Sequence, residues 1–265
     1  MKPYSLASYR GLLELALAEG WTFRGFTDDI DVADRPLLLR HDVDFSVDLA
    51  LEMATVNAEV GVSGTFFLLL RANLYNLLAP RNIDRVKAMV ALGQCVGLHF
   101  AAFEPVPERE SDVFAAVERE MDQLRHEIPE LQPVVAWHSP TGPWLARYAE
   151  AKLPGMVNVY NAEFIKETCY RSDSNLRNSV EQFESVLRDP AVRRLHLLFH
   201  PLNWAAGGRD MMEILGGTWR QIIREREEEF QGNRAYAASF PQGMPAAIIE
   251  QFVTSLSAAA ERKAA

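Results

Sequence analysis

The sequence predicts an α/β fold in which parallel strands form a closed or partly closed barrel, and three observations carry that reading. Short apolar runs alternate along most of the chain with amphipathic stretches of helical period, the pattern of βαβ units. Glycines stand where the helical periods stop, at Gly61 and Gly93, as helix ends favour. Four of the six histidines (His41, His99, His138 and His200) fall at or near the carboxyl ends of apolar runs, the edge where parallel α/β folds gather ligands and catalytic groups. An open doubly wound sheet is the second choice, weakened because the chain has no Gly-x-Gly-x-x-Gly turn and no Walker-type phosphate loop.

Taken in order, residues 37–45 read as a strand and 47–60 as a helix with apolar positions at Val47, Ala50, Leu51, Ala54 and Ala58. A second strand follows at 63–70, a helix at 83–92, a third strand at 95–100, a helix at 113–128 and a strand at 134–137. Short segments at 155–160 and 167–171 are read as further strands, before a helix at 180–187 and the strand 194–199. Residues 211–230 form a helix whose charged run, Arg224 to Glu229, reads as a solvated face. The alanine-rich end, 257–265, reads as a peripheral helix or a frayed tail. This gives one domain: a helical N-terminal segment at 1–34, a core at 35–205 and a helical C-terminal extension at 206–265.

The chemistry concentrates in Arg40-His41-Asp42-Val43-Asp44, which ends the apolar run Leu37-Leu38-Leu39. Side chains alternate along a strand, so Asp42 and Asp44 share one face while His41 and Val43 take the other. Two carboxylates that close repel unless one is protonated, a cation lies nearby or a divalent metal neutralises them, and a metal is the favoured solution. His99, His138 and His200 arrive at the same edge at the ends of their own strands, whereas His126, in a charged helical stretch, and His196, inside a strand, read as structural.

Composition narrows the partners. Twenty-seven basic against 36 acidic residues leave a net charge of −9, which disfavours nucleic acid. No run reaches the ~20 apolar residues of a membrane span, and the start lacks the pattern of a signal peptide, so a soluble cytoplasmic protein is expected. Cys95 and Cys169 are expected to be free thiols. The sequence leaves homo-oligomerisation open.

In this order, over residues 35–205, the strand-end motifs resemble the NodB-like polysaccharide deacetylase superfamily, particularly a branch with an Arg-His-Asp-Val-Asp opening motif. The resemblance implies a distorted (β/α) barrel and a hydrolase that uses one divalent metal, zinc first, to remove an N-acyl group from an amino sugar or glycan precursor. It implies that Asp42 is the general base, Asp44 and His99 bind metal, and His200 protonates the leaving group. The family pattern places a second histidine four residues after the first, where this chain has Phe103. His138, in His138-Ser139-Pro140 at the place of the family's Arg-Pro element, is therefore the candidate third ligand, with His41 and His200 as alternatives. The arginine of that element often orients the catalytic acid; Arg40, Arg71 and Arg171 are candidates to replace its charge.

Two further stretches resemble this branch, Arg71-Ala72-Asn73-Leu74-Tyr75-Asn76 and Tyr170-Arg171-Ser172-Asp173-Ser174-Asn175. They make Arg71, Tyr75, Arg171 and Asp173 candidate substrate contacts, and Trp204 a candidate wall of the pocket. The resemblance also admits a formamide or cyclic-amide hydrolase on the same scaffold, and an inactive sugar-binding or regulatory protein.

Overall fold

The computed structural model describes residues 2–244, 248–251 and 254–255. Eight strands form one sheet joined by parallel ladders: β1 (Thr22–Arg24), β2 (Pro36–Val43), β3 (Thr65–Leu68), β4 (Cys95–Ala101), β5 (Val134–His138), β6 (Val157–Asn158), β7 (Cys169–Ser172) and β8 (Leu195–Phe199). Their order is β6-β5-β4-β3-β2-β8-β7, with β1 added beside β2. β1 pairs with the beginning of β2 and β3 with its end, so three residues suffice for β1 to close that corner.

The sheet is curled. Leu38 of β2, Phe67 of β3 and both Val134 and Ala136 of β5 meet in one buried cluster with Phe26, Val159 and Phe164, which strands so far apart in a flat sheet would not reach. The fold is thus a distorted (β/α) barrel, and the doubly wound alternative is set aside. Among the described residues no ladder joins β6 to β7. The chain between them fills the gap: Phe164 packs edge-on against Phe26, and its carbonyl accepts a 3.0 Å hydrogen bond from His196 Nδ1. Gly97 on β4 permits this interior, because a Cβ there would overlap Val134 and lie 3.1 Å from the Phe67 ring.

Helices α1 (Leu6–Ala18), α2 (Val47–Val60), α3 (Pro80–Ala91), α4 (Glu110–Glu127), α5 (Gly142–Tyr148) and α7 (Val180–Arg188) cover the outer face, α6 (Ala162–Ile165) sits in the gap between β6 and β7, and α8 (Met211–Phe230) and α9 (Arg234–Ser239) follow β8. The main core lies between this layer and the outward residues of the strands, among them Leu37, Leu39, Leu98, Trp137, Leu197 and Phe199. α2 begins at an N-cap, Ser46, whose hydroxyl accepts from Leu49 N, and ends at Gly61 with φ 80°.

Two features differ from the sequence reading. β1 lies within 1–34, so that segment supplies a strand as well as helix α1. The charged run on α8 is not wholly solvated: Glu225 is buried and accepts from the Ser46 hydroxyl, and Glu228 pairs with Arg81, so these acids dock α8 onto α2 and α3. The alanine-rich end, 257–265, lies outside the described residues. Both cysteines are free, and no described helix is long and apolar enough to cross a membrane.

Candidate metal centre

On β2, Leu38, Arg40 and Asp42 face the barrel interior while Leu37, Leu39, His41 and Val43 face the helices. The same alternation brings His99 of β4, His138 of β5 and His200 just after β8 to the carboxyl edge, where Asp44 follows β2. Asp44 Oδ1 lies 3.3 Å from His99 Nε2 and 3.3 Å from His138 Nδ1. The two ring nitrogens are themselves 3.3 Å apart.

These three equal separations test whether the residues fit a metal. Ligand atoms about 2.0–2.1 Å from a tetrahedral zinc ion stand about 3.3–3.4 Å from one another. The side chains are therefore already at the edge lengths of such a shell. Asp44 Oδ1 is also buried without a hydrogen-bond donor, which a cation would satisfy. His99 Nδ1 donates to the Ala136 carbonyl at 3.1 Å, which leaves the Nε2 lone pair free for a metal. Among the described residues, Asp44, His99 and His138 form the one such cluster of histidine, cysteine and acidic side chains. Three protein ligands leave a fourth position open, as in catalytic zinc sites.

Two further groups flank the cluster. Asp42 Oδ2 is 3.4 Å from His99 Nε2, and its two oxygens accept from Arg40 Nε and Nη2 at 2.7 and 2.8 Å. Burial opposes ionisation of Asp42, but the Arg40 guanidinium beside it holds the carboxyl below the usual range. Asp44 is likewise held well below that range, burial being outweighed by the His138 and His99 rings that face it. On the other side, His200 Nε2 lies 3.8 Å from Asp44 Oδ2. Its Nδ1 donates to Asp173 at 2.6 Å, and Asp173 also accepts from the His200 amide at 2.9 Å and from the Trp204 indole at 2.8 Å. Burial disfavours the imidazolium of His200, yet the Asp173 carboxylate raises its pKa to about 9. The Asp44 carboxylate beside it raises the pKa of His138.

Asp42, Asp44, His99, His138 and His200 are thus brought together, with Asp173 and Trp204 behind His200. Of the two alternative third ligands, His200 is among them and His41 is not. It faces the helices, its Nε2 is 2.7 Å from the Tyr9 hydroxyl, and its ring stacks on Phe66. Phe103 packs against Phe100 and Trp144.

The remaining candidate substrate contacts lie elsewhere. Arg71 is exposed and paired with Glu120. Tyr75 is buried, its hydroxyl donating to the Val43 carbonyl at 2.7 Å and accepting from Leu69 N, so it pins the end of β2. Arg171 points away from the cavity because it alternates with the inward Tyr170 and Ser172; it lines a separate surface hollow with Arg177. Trp204 is fully buried, and its role is to hold Asp173.

The cluster opens into a cavity of about 410 Å³. Several lining residues were missed by the sequence reading: Phe45, Tyr160, Leu202, Asn203, Met211 and Leu215. Tyr170 could have been found by strand alternation. Met211 and Leu215 are remote in sequence and carry no motif. Ser139 and Asn175, also in the lining, have left-handed backbones with φ of 44° and 53°.

No protein-family model matches the chain, and no curated protein matches it. Among solved structures the chain is similar to that of the chitin deacetylase from the fungal pathogen Colletotrichum lindemuthianum. The two are 15% identical with a TM-score of 0.43, the match covering 69% of this chain and 80% of that one. That likeness is distant, and the site stands on its own geometry.

Proposed function

We propose that this protein is a metal-dependent hydrolase that removes an acyl group from an amine. The observation that supports it most is the three-ligand cluster of Asp44, His99 and His138, with a carboxylate on one side and a carboxylate-bound histidine on the other. Asp44, His99 and His138 would hold a divalent ion, zinc being the first choice, which would supply Lewis acidity toward an acyl oxygen and lower the pKa of water. Asp42 takes a proton from the attacking water, and the Arg40 fork fixes the orientation of the accepting carboxylate. As the carbon–nitrogen bond breaks, His200 delivers a proton to the departing nitrogen, and Asp173 holds its ring at the correct angle. The products are a carboxylic acid and a free amine.

This division of labour suits amides, which need the leaving nitrogen protonated. Amino sugars as substrates come from the motif resemblance. The test is a panel of N-acetyl, N-formyl and cyclic-imide compounds offered to protein loaded with zinc, cobalt or nickel. Metal-dependent release of acid and amine is expected from the N-acetyl compounds. Stoichiometric metal with no turnover on the panel overturns the reading in favour of a binding protein, and preferential ring opening favours a cyclic-amide hydrolase.

A further inference from the structure

We infer that the substrate of this site is uncharged and compact, and that an apolar group sits on its leaving nitrogen. The inference rests on the amide-hydrolase reading for the identity of the nitrogen, and on the cavity walls for the rest.

The first observation is electrostatic. Among the described residues no lysine or arginine lines the cavity, while two carboxylates do. Arg40 is the nearest guanidinium, but it is fully buried beneath the floor and bound to both oxygens of Asp42. Arg71 is paired with Glu120, and Arg171 belongs to a different hollow. Recognition of a phosphate, sulfate or carboxylate on a substrate ordinarily calls on such side chains. A phosphorylated or nucleotide-linked sugar would find no guanidinium or ammonium partner among these lining residues.

The second observation is a wall of apolar side chains on one side. Beyond His200 and Pro201 the chain enters a π-helical segment, Leu202–Ala206, and then the start of α8. Leu202 from the first, and Met211 and Leu215 from the second, line the cavity together with Phe45. Met211 is 37% exposed, and Leu202, Leu215 and Phe45 are half-buried, so apolar surface is left open to a ligand. The wall is firmly built. Asp210 caps α8 by accepting from Glu213 N at 2.9 Å, and Ile214 is fully buried. A Cβ on Gly217 would come within 2.7 Å of the Ala206 carbonyl, so α8 lies closely on the π-helical segment.

The third observation gives direction. Leu202 is two residues beyond His200, and the nitrogen that receives a proton from His200 must lie against that ring. The group carried by that nitrogen then extends onto Leu202, Met211 and Leu215. A cavity of about 410 Å³ holds a small molecule of this shape.

The experiment is a series of N-alkylacetamides from methyl to hexyl, compared with N-acetylglucosamine and its 6-phosphate on zinc-loaded protein. Turnover is followed by acetate release and binding by calorimetry. Binding, and kcat/KM wherever turnover occurs, should rise with chain length by about fourfold per buried methylene. The 6-phosphate should bind more weakly than N-acetylglucosamine. The double variant Met211→Gln, Leu215→Asn should flatten the dependence on chain length, with metal content and circular dichroism checked alongside. A flat series in the parent protein, an undiminished slope in the folded variant, or a preference for the phosphorylated sugar would each overturn the inference. Absence of turnover with an intact slope in binding would sink the hydrolase reading and leave the apolar wall standing.

Discussion

Arg40 and Asp42, two residues apart on β2, both face the barrel interior, and the guanidinium reaches along the strand to hold both carboxylate oxygens at 2.7 and 2.8 Å. The pair is buried, with Arg40 also lying over the rings of Phe67 and Tyr160 at 5.4 and 5.1 Å. One strand therefore supplies the carboxylate proposed as proton acceptor and the guanidinium that orients it. Arg71 and Arg171, the other candidates for that charge, are directed elsewhere.

Breaking this pair should be costly. Arg40→Met leaves a buried carboxylate without its partner, and the expected loss of stability is about 3–5 kcal/mol. Arg40→Lys keeps the charge but not the planar fork. It should lower kcat by about tenfold or more with little change in metal content, because the acceptor loses its orientation. Urea unfolding and metal analysis of the two variants provide the check; an Arg40→Lys protein with parental kcat removes the positioning role.

Asp44→Ala, His99→Ala and His138→Ala should each abolish stoichiometric zinc binding, whereas Asp42→Asn should keep the metal and lose turnover by about 10²-fold or more. Unfolding provides a readout that needs no substrate. Zinc at about 100 times its dissociation constant should stabilise the parent by about 2.7 kcal/mol, and a chelator should remove that increment. In the three ligand variants the increment should vanish. Phe103→His should not restore metal to His138→Ala, since residue 103 faces the aromatic cluster of Phe100 and Trp144. Recovery of binding in that double variant would show that the loop after β4 can turn inward.

Asp173 can be separated from His200. Asp173→Asn removes the charge that favours the imidazolium and weakens the hydrogen bonds from His200 and Trp204. Turnover of an acetamide should fall more than turnover of an ester bearing a good leaving group, because the ester depends less on a proton donor. Equal losses on both would assign Asp173 to the architecture alone.

The sequence made much of this centre legible because strand alternation is strict. Once 37–45 was read as a strand, Asp42 and Asp44 had to share a face, and the histidines at the ends of β4, β5 and β8 had to meet them at one edge. The same rule would have turned Arg171 away from the site, since it lies between Tyr170 and Ser172. β1, with three residues, is too short for a periodic signal. Tyr75 was beyond reach for another reason: a loop tyrosine whose hydroxyl binds two backbone groups looks, in sequence, like one that binds a ligand. The apolar wall depends on where α8 docks, which is decided by tertiary contacts such as Ser46 with Glu225.

A last expectation concerns His196, which faces the barrel interior on β8, four residues before His200. Its Nδ1 donates to the Phe164 carbonyl, Nε2 is buried without a partner, and the ring packs against Phe26 and Tyr170. Burial, helped by the positive charge of Arg40, lowers its pKa from 6.5 to about 3. The unfolded chain takes up a proton at this residue as pH falls through 6.5, while the folded protein refuses it until about pH 3. Folding is therefore progressively disfavoured between those two values, by up to about 1.4 kcal/mol per pH unit for one proton. His196→Gln removes that contribution. Urea unfolding of parent and variant at pH 8, 7, 6 and 5, with chelator present throughout, should give a constant difference above pH 7 and a narrowing advantage for the parent below it. Two curves that stay parallel down to pH 5 would mean that His196 accepts a proton inside the barrel.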